Sequence, residues 1–331
     1  MDTKSKKIAF LQKLEHPTIS AEQIVHLLCP MLKNGADIYS LLVKVNANKL
    51  TSQLSIDDVN KFYKELYICW HKSFSKFSKE NTSEGILEIS KSYFTPELQP
   101  ENISEEEARK FFEDATNKIF LHQILPTSVA NNRKIFENGH LNNLFLHVKP
   151  DATKQFFYDT TCRLYINISP QNALKLGAKL QSVCRKENIP LYYKIWTKSN
   201  DRNDNFLVYT TYDYVEKIVS NIKKIKQTNP EIFIGAEKAN PFLAKVDDCI
   251  FFGEEPKNSS FSFTKLRAKS IAEYLDFYGT LSLLKYKDRA VYVSKNGLKP
   301  FFEKNGISID YPFLNLESAK ELEQENEKTK E

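Results

Sequence analysis

The residues best suited to chemistry gather in a few short stretches of the second half of the chain. In the run Cys162–Ile168, Arg163, Tyr165 and Asn167 alternate with Cys162, Leu164, Ile166 and Ile168. As a strand, that pattern puts a guanidinium, a phenol and an amide on one face and apolar groups on the other. The polar set suits an anion. In Leu191–Trp196, the side chains of Tyr192, Lys194 and Trp196 share a face in the same way. An ammonium held among aromatic rings and near another cation loses its proton more readily, which makes Lys194 a candidate base. Arg202 and Asp204 belong to a polar turn ahead of the strand Phe206–Thr210. Arg267 stands about one turn into a helix that begins near Ser262, and such a helix start aims backbone N–H groups at an anion. Plainer readings stand beside these: an exposed sheet face, a lysine reaching past the rings to water, an ordinary turn and a helix cap with a solvated arginine. The sequence leaves both sets open.

Other chemistries find little support. With 9 glycines the chain has no GxGxxG and no GxxxxGK[ST], so no nucleotide or other cofactor is expected. All six histidines precede residue 150, and the close pairs His26/Cys29 and Cys69/His71 fall in helical stretches with no second pair to complete a zinc site. No metal is expected. There is no GxSxG elbow. His140 and His147 fall near the junction of the two halves, where either can reach a site.

Several elements must position these groups. Ile8–Leu14 and Ala21–Val43 read as helices, the second interrupted near Pro30 and Gly35. Ser55 with Asp58, and Ser104 with Glu107, have the spacing of helix-start capping boxes. The helix after Ser55 would carry Val59, Phe62, Tyr63, Leu66, Tyr67, Trp70, Phe74 and Phe77 on one face, and the one after Ser104 would carry Phe111, Phe112, Ala115 and Ile119. Beyond about residue 130, β-rich runs appear at Leu144–Val148, Gln155–Tyr158, Cys162–Ile168, Ile189–Trp196, Asn205–Thr210 and Ile250–Phe252. Helical patterns lie between or after them at Pro170–Lys186, Tyr212–Gln227 and Phe263–Tyr278. A crossover of that length makes Cys162–Ile168 and Ile189–Trp196 parallel if they share a sheet. The expected class is α+β: a helical N-terminal part over 1–130 that docks or caps, a mixed α/β domain over 131–315 with a central twisted sheet, and a solvated polar tail over 316–331.

The net charge of +5 on 331 residues suits an acidic or phosphorylated ligand but does not demand nucleic acid, and no arginine-rich run is present. Five scattered cysteines without a CxxC read as free thiols of a reducing compartment. The charged first residues lead into no apolar segment, so a cytoplasmic protein with no membrane span is expected.

The order of the motifs resembles the HopA-type effector family. The resemblance rests on Arg163/Tyr165/Asn167, then Lys194, then Arg202/Asp204 with Tyr209, then Pro241–Val246, Gly253–Pro256 and Ser262–Arg267. It covers roughly Leu141 to Tyr278. It departs at Thr264, where the family has Gly, and at Leu266, often His in relatives. Similar proteins serve class V lanthipeptide and thioamitide biosynthesis, where a kinase-like partner phosphorylates Ser or Thr and the HopA-like component is implicated in eliminating phosphate. The resemblance therefore implies a phosphoserine/phosphothreonine lyase. Its substrate would be a phosphorylated precursor peptide and its partner kinase-like. Lys194 would act as base, with Tyr165 the alternative as proton donor. Arg163, Arg202 and Arg267 would bind phosphate, and Asn167 and Asp204 would orient the peptide. A HopA-like module that only binds a peptide, or an effector acting on host proteins, is the alternative.

Overall fold

The computed structural model describes residues 2–28, 37–47, 54–80, 102–110, 127–128, 136–137, 140–141, 145–150, 161–197, 202–257, 259–277 and 295–328. Four helices come first: α1 (Thr3–Leu11), α2 (Ala21–Leu28), α3 (Ile38–Lys44) and α4 (Ile56–Glu80). Their starts follow local chemistry. Asp2 accepts from the Ser5 N–H at 2.7 Å and Asp37 from the Tyr39 N–H at 3.1 Å. Ser55 and Asp58 form a reciprocal box, the Ser55 N–H donating to Asp58 at 2.9 Å and the Asp58 N–H to Ser55 Oγ at 3.1 Å. Ser104 and Glu107 repeat it at 2.8 and 3.2 Å, opening helical residues 105–110. The apolar face expected over Phe111–Ile119 lies outside the described residues, as does the strand expected at Gln155–Tyr158.

The rest is built on strands β1 (Thr127–Ser128), β4 (Phe145–Pro150), β5 (Cys162–Ile166), β6 (Tyr192–Trp196), β7 (Phe206–Thr210), β8 (Ala244–Asp247) and β9 (Ile250–Glu254), while β2 (Phe136–Glu137) and β3 (His140–Leu141) pair separately. The helices are α5 (Pro170–Lys186), α6 (Val215–Thr228), α7 (Phe263–Phe277), α8 (Lys295–Lys304) and α9 (Leu316–Lys328). The seven strands lie in the order β1-β4-β6-β7-β5-β9-β8, every neighbouring pair antiparallel. Since β5 and β6 are each antiparallel to β7, they run parallel to one another, as the α5 crossover requires. They are not adjacent, however: β7 lies between them.

One sheet face carries Leu164, Tyr193 and Phe252. It is covered by α5, whose Gly177 would bring a Cβ to 2.7 Å from the Tyr193 ring, and by α1, whose Phe10 ring lies 5.1 Å from that of Phe252. The opposite face carries the candidate residues. It is covered at the β5–β9 side by α7, against which α3 packs. A Cβ at Gly253 would lie 2.5 Å from Phe263 Cε2 and 2.9 Å from Leu243 Cδ2. Gly253→Ala is therefore expected to destabilise by about 2 kcal/mol, read as a lower denaturation midpoint at unchanged slope.

The N-terminal helices and the sheet share one buried cluster that runs from Phe10 to Leu322. Backbone hydrogen bonds tie them together: Glu15 with Lys245 at 2.8 and 2.9 Å, Leu54 N–H to Thr197 O at 3.3 Å, and Asn203 N–H to Val43 O at 2.8 Å. The stretch expected as a solvated tail is helix α9 instead. It buries Ser318, Ala319 and Leu322, and Ser318 Oγ donates to the buried Glu254 at 2.7 Å. So narrow a stripe, set among acidic residues, reads as tail until a partner surface meets it. Of the described cysteines, Cys162, Cys184 and Cys249 are buried and form no disulfide. Among the described residues no helix is long and apolar enough to cross a membrane.

Candidate functional site

The strand registers define the site as a grid. Across one row stand Phe145 and Trp196; across the next His147, Lys194, Leu207, Tyr165 and Phe251; across the third Tyr192, Tyr209, Arg163 and Gly253. Alternation along each strand puts all of these on one face. Lys194 and Tyr165 thus occupy one row with Leu207 between them, and Arg163 is separated from Tyr192 by Tyr209. The cationic face expected on neighbouring strands spans three strands.

Lys194 is partly buried, its Nζ 4.2 Å from the Phe145 ring centroid and 5.9 Å from that of Tyr209. Burial pulls its pKa down to about 8; Asp204 and Tyr39 oppose the fall, and Arg163 and Arg202 add to it. Arg202 donates to Asp204 through Nε at 2.8 Å and Nη2 at 2.9 Å, and through Nη2 to the Tyr39 hydroxyl at 3.1 Å. Its guanidinium lies 4.6 Å from the Trp196 ring and 5.7 Å from that of Phe145. Burial works against its charge, but Asp204 and then Tyr39 outweigh it and hold Arg202 above its ordinary value.

On the far side Arg163, buried, pairs through Nε and Nη2 with Glu255 and stacks 5.0 Å over Tyr209. Tyr209 in turn stacks on Tyr192 at 4.4 Å, and the Tyr192 hydroxyl lies 3.0 Å from His147 Nδ1. Burial raises Tyr209 to about 12, with Arg163 opposing. Burial likewise holds the Tyr165 phenol well above its usual range, against the pull of Arg163, so it stays protonated at neutral pH. Tyr165 Oη and Trp196 Nε1 are buried without a hydrogen-bond partner.

The remaining expected residues are engaged elsewhere. Arg267 is 1% exposed; its Nε donates to Pro312 O at 2.7 Å and its Nη1 to Phe263 O at 3.0 Å, bracing α7. Burial pulls its pKa to about 9, with Tyr165 raising and Arg163 lowering it, so it is an electrostatic neighbour of the face, sealed beneath α7. Asn167 is fully buried and gives both amide hydrogens to Asn46 O and Lys238 O, at 3.1 and 3.0 Å, while accepting from Asn205 at 2.8 Å. These contacts anchor loops rather than orient a ligand. Asp204 is the partner of Arg202.

Tyr39, Phe145 and Glu255 were not legible as site residues. Glu255 is the acidic member of the Gly253–Pro256 motif, but nothing local pairs it with Arg163, and Tyr39 arrives from a helix 163 residues before Arg202. Of the two histidines at the junction, His147 reaches the face. Among the described residues no group of three or more His, Cys, Asp or Glu side chains is placed to hold a metal. A surface cleft lined by Lys257, Phe261, Lys269 and Lys304 contains none of the residues of the face.

Residues 129–312 match the model of the HopA1 effector protein family. The chain belongs to that family. Two solved structures are similar, both effector proteins of Pseudomonas syringae. That of pv. tomato strain DC3000 has 16% identity and a TM-score of 0.45, covering 77% of this chain and 99% of its own. That of pv. syringae strain 61 has 14% identity and a TM-score of 0.43, covering 76% and 97%. No curated protein matches the chain. The HopA1 match contains Lys194, both ion pairs and Arg267, whereas Tyr39 lies outside it.

Proposed function

We propose that this face is the active site of a lyase that eliminates phosphate from phosphoserine or phosphothreonine in a peptide. The observation that carries the reading is Lys194, whose amine sits on an aromatic floor between two arginines with its pKa drawn down to about 8. β-Elimination needs a base for a weakly acidic Cα proton. Lys194 Nζ takes that proton, the Cα–H electron pair becomes the Cα=Cβ bond, and the Cβ–O bond breaks with the phosphate taking its electrons. Arg163 and Arg202 balance the charge on the departing phosphate, and the Tyr165 hydroxyl supplies a proton. The substrate would be a precursor peptide phosphorylated by a kinase-like partner in the same cytoplasm, as in lanthipeptide maturation.

The carboxylate pairing of both arginines favours a second reading. Glu255 and Asp204 already occupy an edge of each guanidinium, which suits a preformed surface that binds a peptide or host protein without reaction. Incubating the purified protein with a phosphothreonine peptide separates the two. The lyase reading expects loss of phosphoric acid by mass spectrometry, at a rate that climbs with pH through about 8 as Lys194 is deprotonated and then levels. Binding without a mass change selects the module.

A further inference from the structure

Two donors on this face are buried and unpartnered, and only one has a role so far. Tyr165 is 2% exposed and Trp196 9%, and neither Tyr165 Oη nor Trp196 Nε1 makes a hydrogen bond. A buried indole N–H ordinarily finds an acceptor, because it only donates and its desolvation is otherwise uncompensated. Trp196 is held firmly: the Phe145 ring meets it edge-on at 4.7 Å and the Arg202 guanidinium stacks at 4.6 Å. Its strand places it on the face of Lys194, two residues away. The arginines that flank Lys194 already donate to Asp204, Tyr39 and Glu255. The neutral N–H of Trp196 is therefore a buried donor that lacks an acceptor, on the same face as Lys194.

We propose that Trp196 is a substrate-binding residue whose Nε1 N–H donates to a main-chain carbonyl oxygen of the bound peptide beside the phosphorylated residue. The carbonyl is favoured over the phosphate because the indole N–H is a neutral donor, whereas the guanidiniums of Arg163 and Arg202 are the better-matched partners for a phosphate. The assignment rests on the phosphopeptide reading of the site but not on the elimination step. Trp196 thereby fixes where the peptide chain crosses β6, and so which Cα–H faces Lys194.

The test is calorimetric titration of Trp196→Phe and wild type with a phosphothreonine peptide and with its unphosphorylated form. Phe keeps a ring for Arg202 to stack on and removes the N–H. Both peptides are expected to bind about tenfold more weakly to the variant, the loss of roughly one hydrogen bond to a buried donor. Binding within about twofold of wild type, or a loss confined to the phosphorylated peptide, overturns the assignment. A second measurement needs no variant to fold: with ¹⁵N-tryptophan, the indole N–H resonance of Trp196, one of 2 tryptophans, should move downfield on saturation with peptide. An unmoved resonance overturns it. Phosphate release together with unimpaired binding by Trp196→Phe sinks the Trp196 role and leaves the lyase standing. Tight binding without release, weakened by Trp196→Phe, sinks the lyase alone, and no binding by the wild type sinks both.

Discussion

Lys194→Met is expected to lower phosphate release from a phosphothreonine peptide by on the order of 10²- to 10⁴-fold, the usual contribution of a positioned base, while making the protein more stable at neutral pH. The two effects have one cause. In the folded state burial holds Lys194 near 8, against 10.5 for an ordinary lysine. Below pH 8 both states are protonated, and the folded state carries the cost of an ammonium among the Phe145 and Tyr209 rings. Between about 8 and 10.5 the unfolded chain binds more protons than the folded one, so wild-type stability rises with pH across that window. Methionine keeps the length and removes the charge. With the residual exposure of Lys194 discounted, the variant should gain about 2 kcal/mol at pH 7, and the gain should shrink as pH approaches 10. Denaturant unfolding at pH 7 and 9.5 reads this directly. Full phosphate release by the variant would remove Lys194 from the base role. A loss of stability would mean that the lysine is held by contacts worth more than its burial costs.

Arg202→Leu is expected to cost about 3 kcal/mol, more than an exposed ion pair could account for. Arg202 and Asp204 are only 13% and 11% exposed at their side chains, and the guanidinium also holds the Tyr39 hydroxyl and lies over Trp196. Removing it leaves a buried carboxylate without its cation. The double variant Arg202→Leu/Asp204→Asn removes that stranded charge and should recover part of the loss, so the two changes will be less than additive in a mutant cycle. The site should respond too. Arg202 presses the Lys194 pKa down and Asp204 raises it, so Arg202→Leu should move the pH–rate curve to higher pH and Asp204→Asn to lower pH. If the two variants shift the curve in the same direction, Lys194 is not the titrating group.

Much of this arrangement was legible from the chain. The alternation in Cys162–Ile166 and Tyr192–Trp196 assigns each side chain to a face, because successive strand residues must point to opposite sides of a sheet. The capping boxes at Ser55 and Ser104 mark helix starts because their hydrogen bonds are three residues apart and need nothing distant. The parallel relation of β5 and β6 follows from the reach of α5. Even the depressed lysine was foreseeable from the aromatics beside it on its own strand. Failures came where local rules stop. The apolar stripe of α9, at Ser318, Ala319 and Leu322, is too narrow to announce a buried helix until its docking surface exists. Arg163 and Arg202 read alike as cations on offer to a phosphate, with no sign that Glu255 would meet the first from beyond β9.

The sequence by itself therefore determined most of the elements, α9 excepted, the faces of the central strands and the stock of groups available: lysine, arginines, phenols and an indole on one side of a sheet. Tertiary structure decided their company. Strand order is set by how the layers close over the core, and it put β7 between the two candidate strands, with Leu207 between Lys194 and Tyr165. It brought Tyr39 from α3 to Arg202 and buried Arg267 beneath α7, so that one arginine joins the face through an aromatic partner and another only through its field. Burial and neighbouring charge are properties of that closure, and they turn an ordinary lysine into one that can give up its proton near neutral pH.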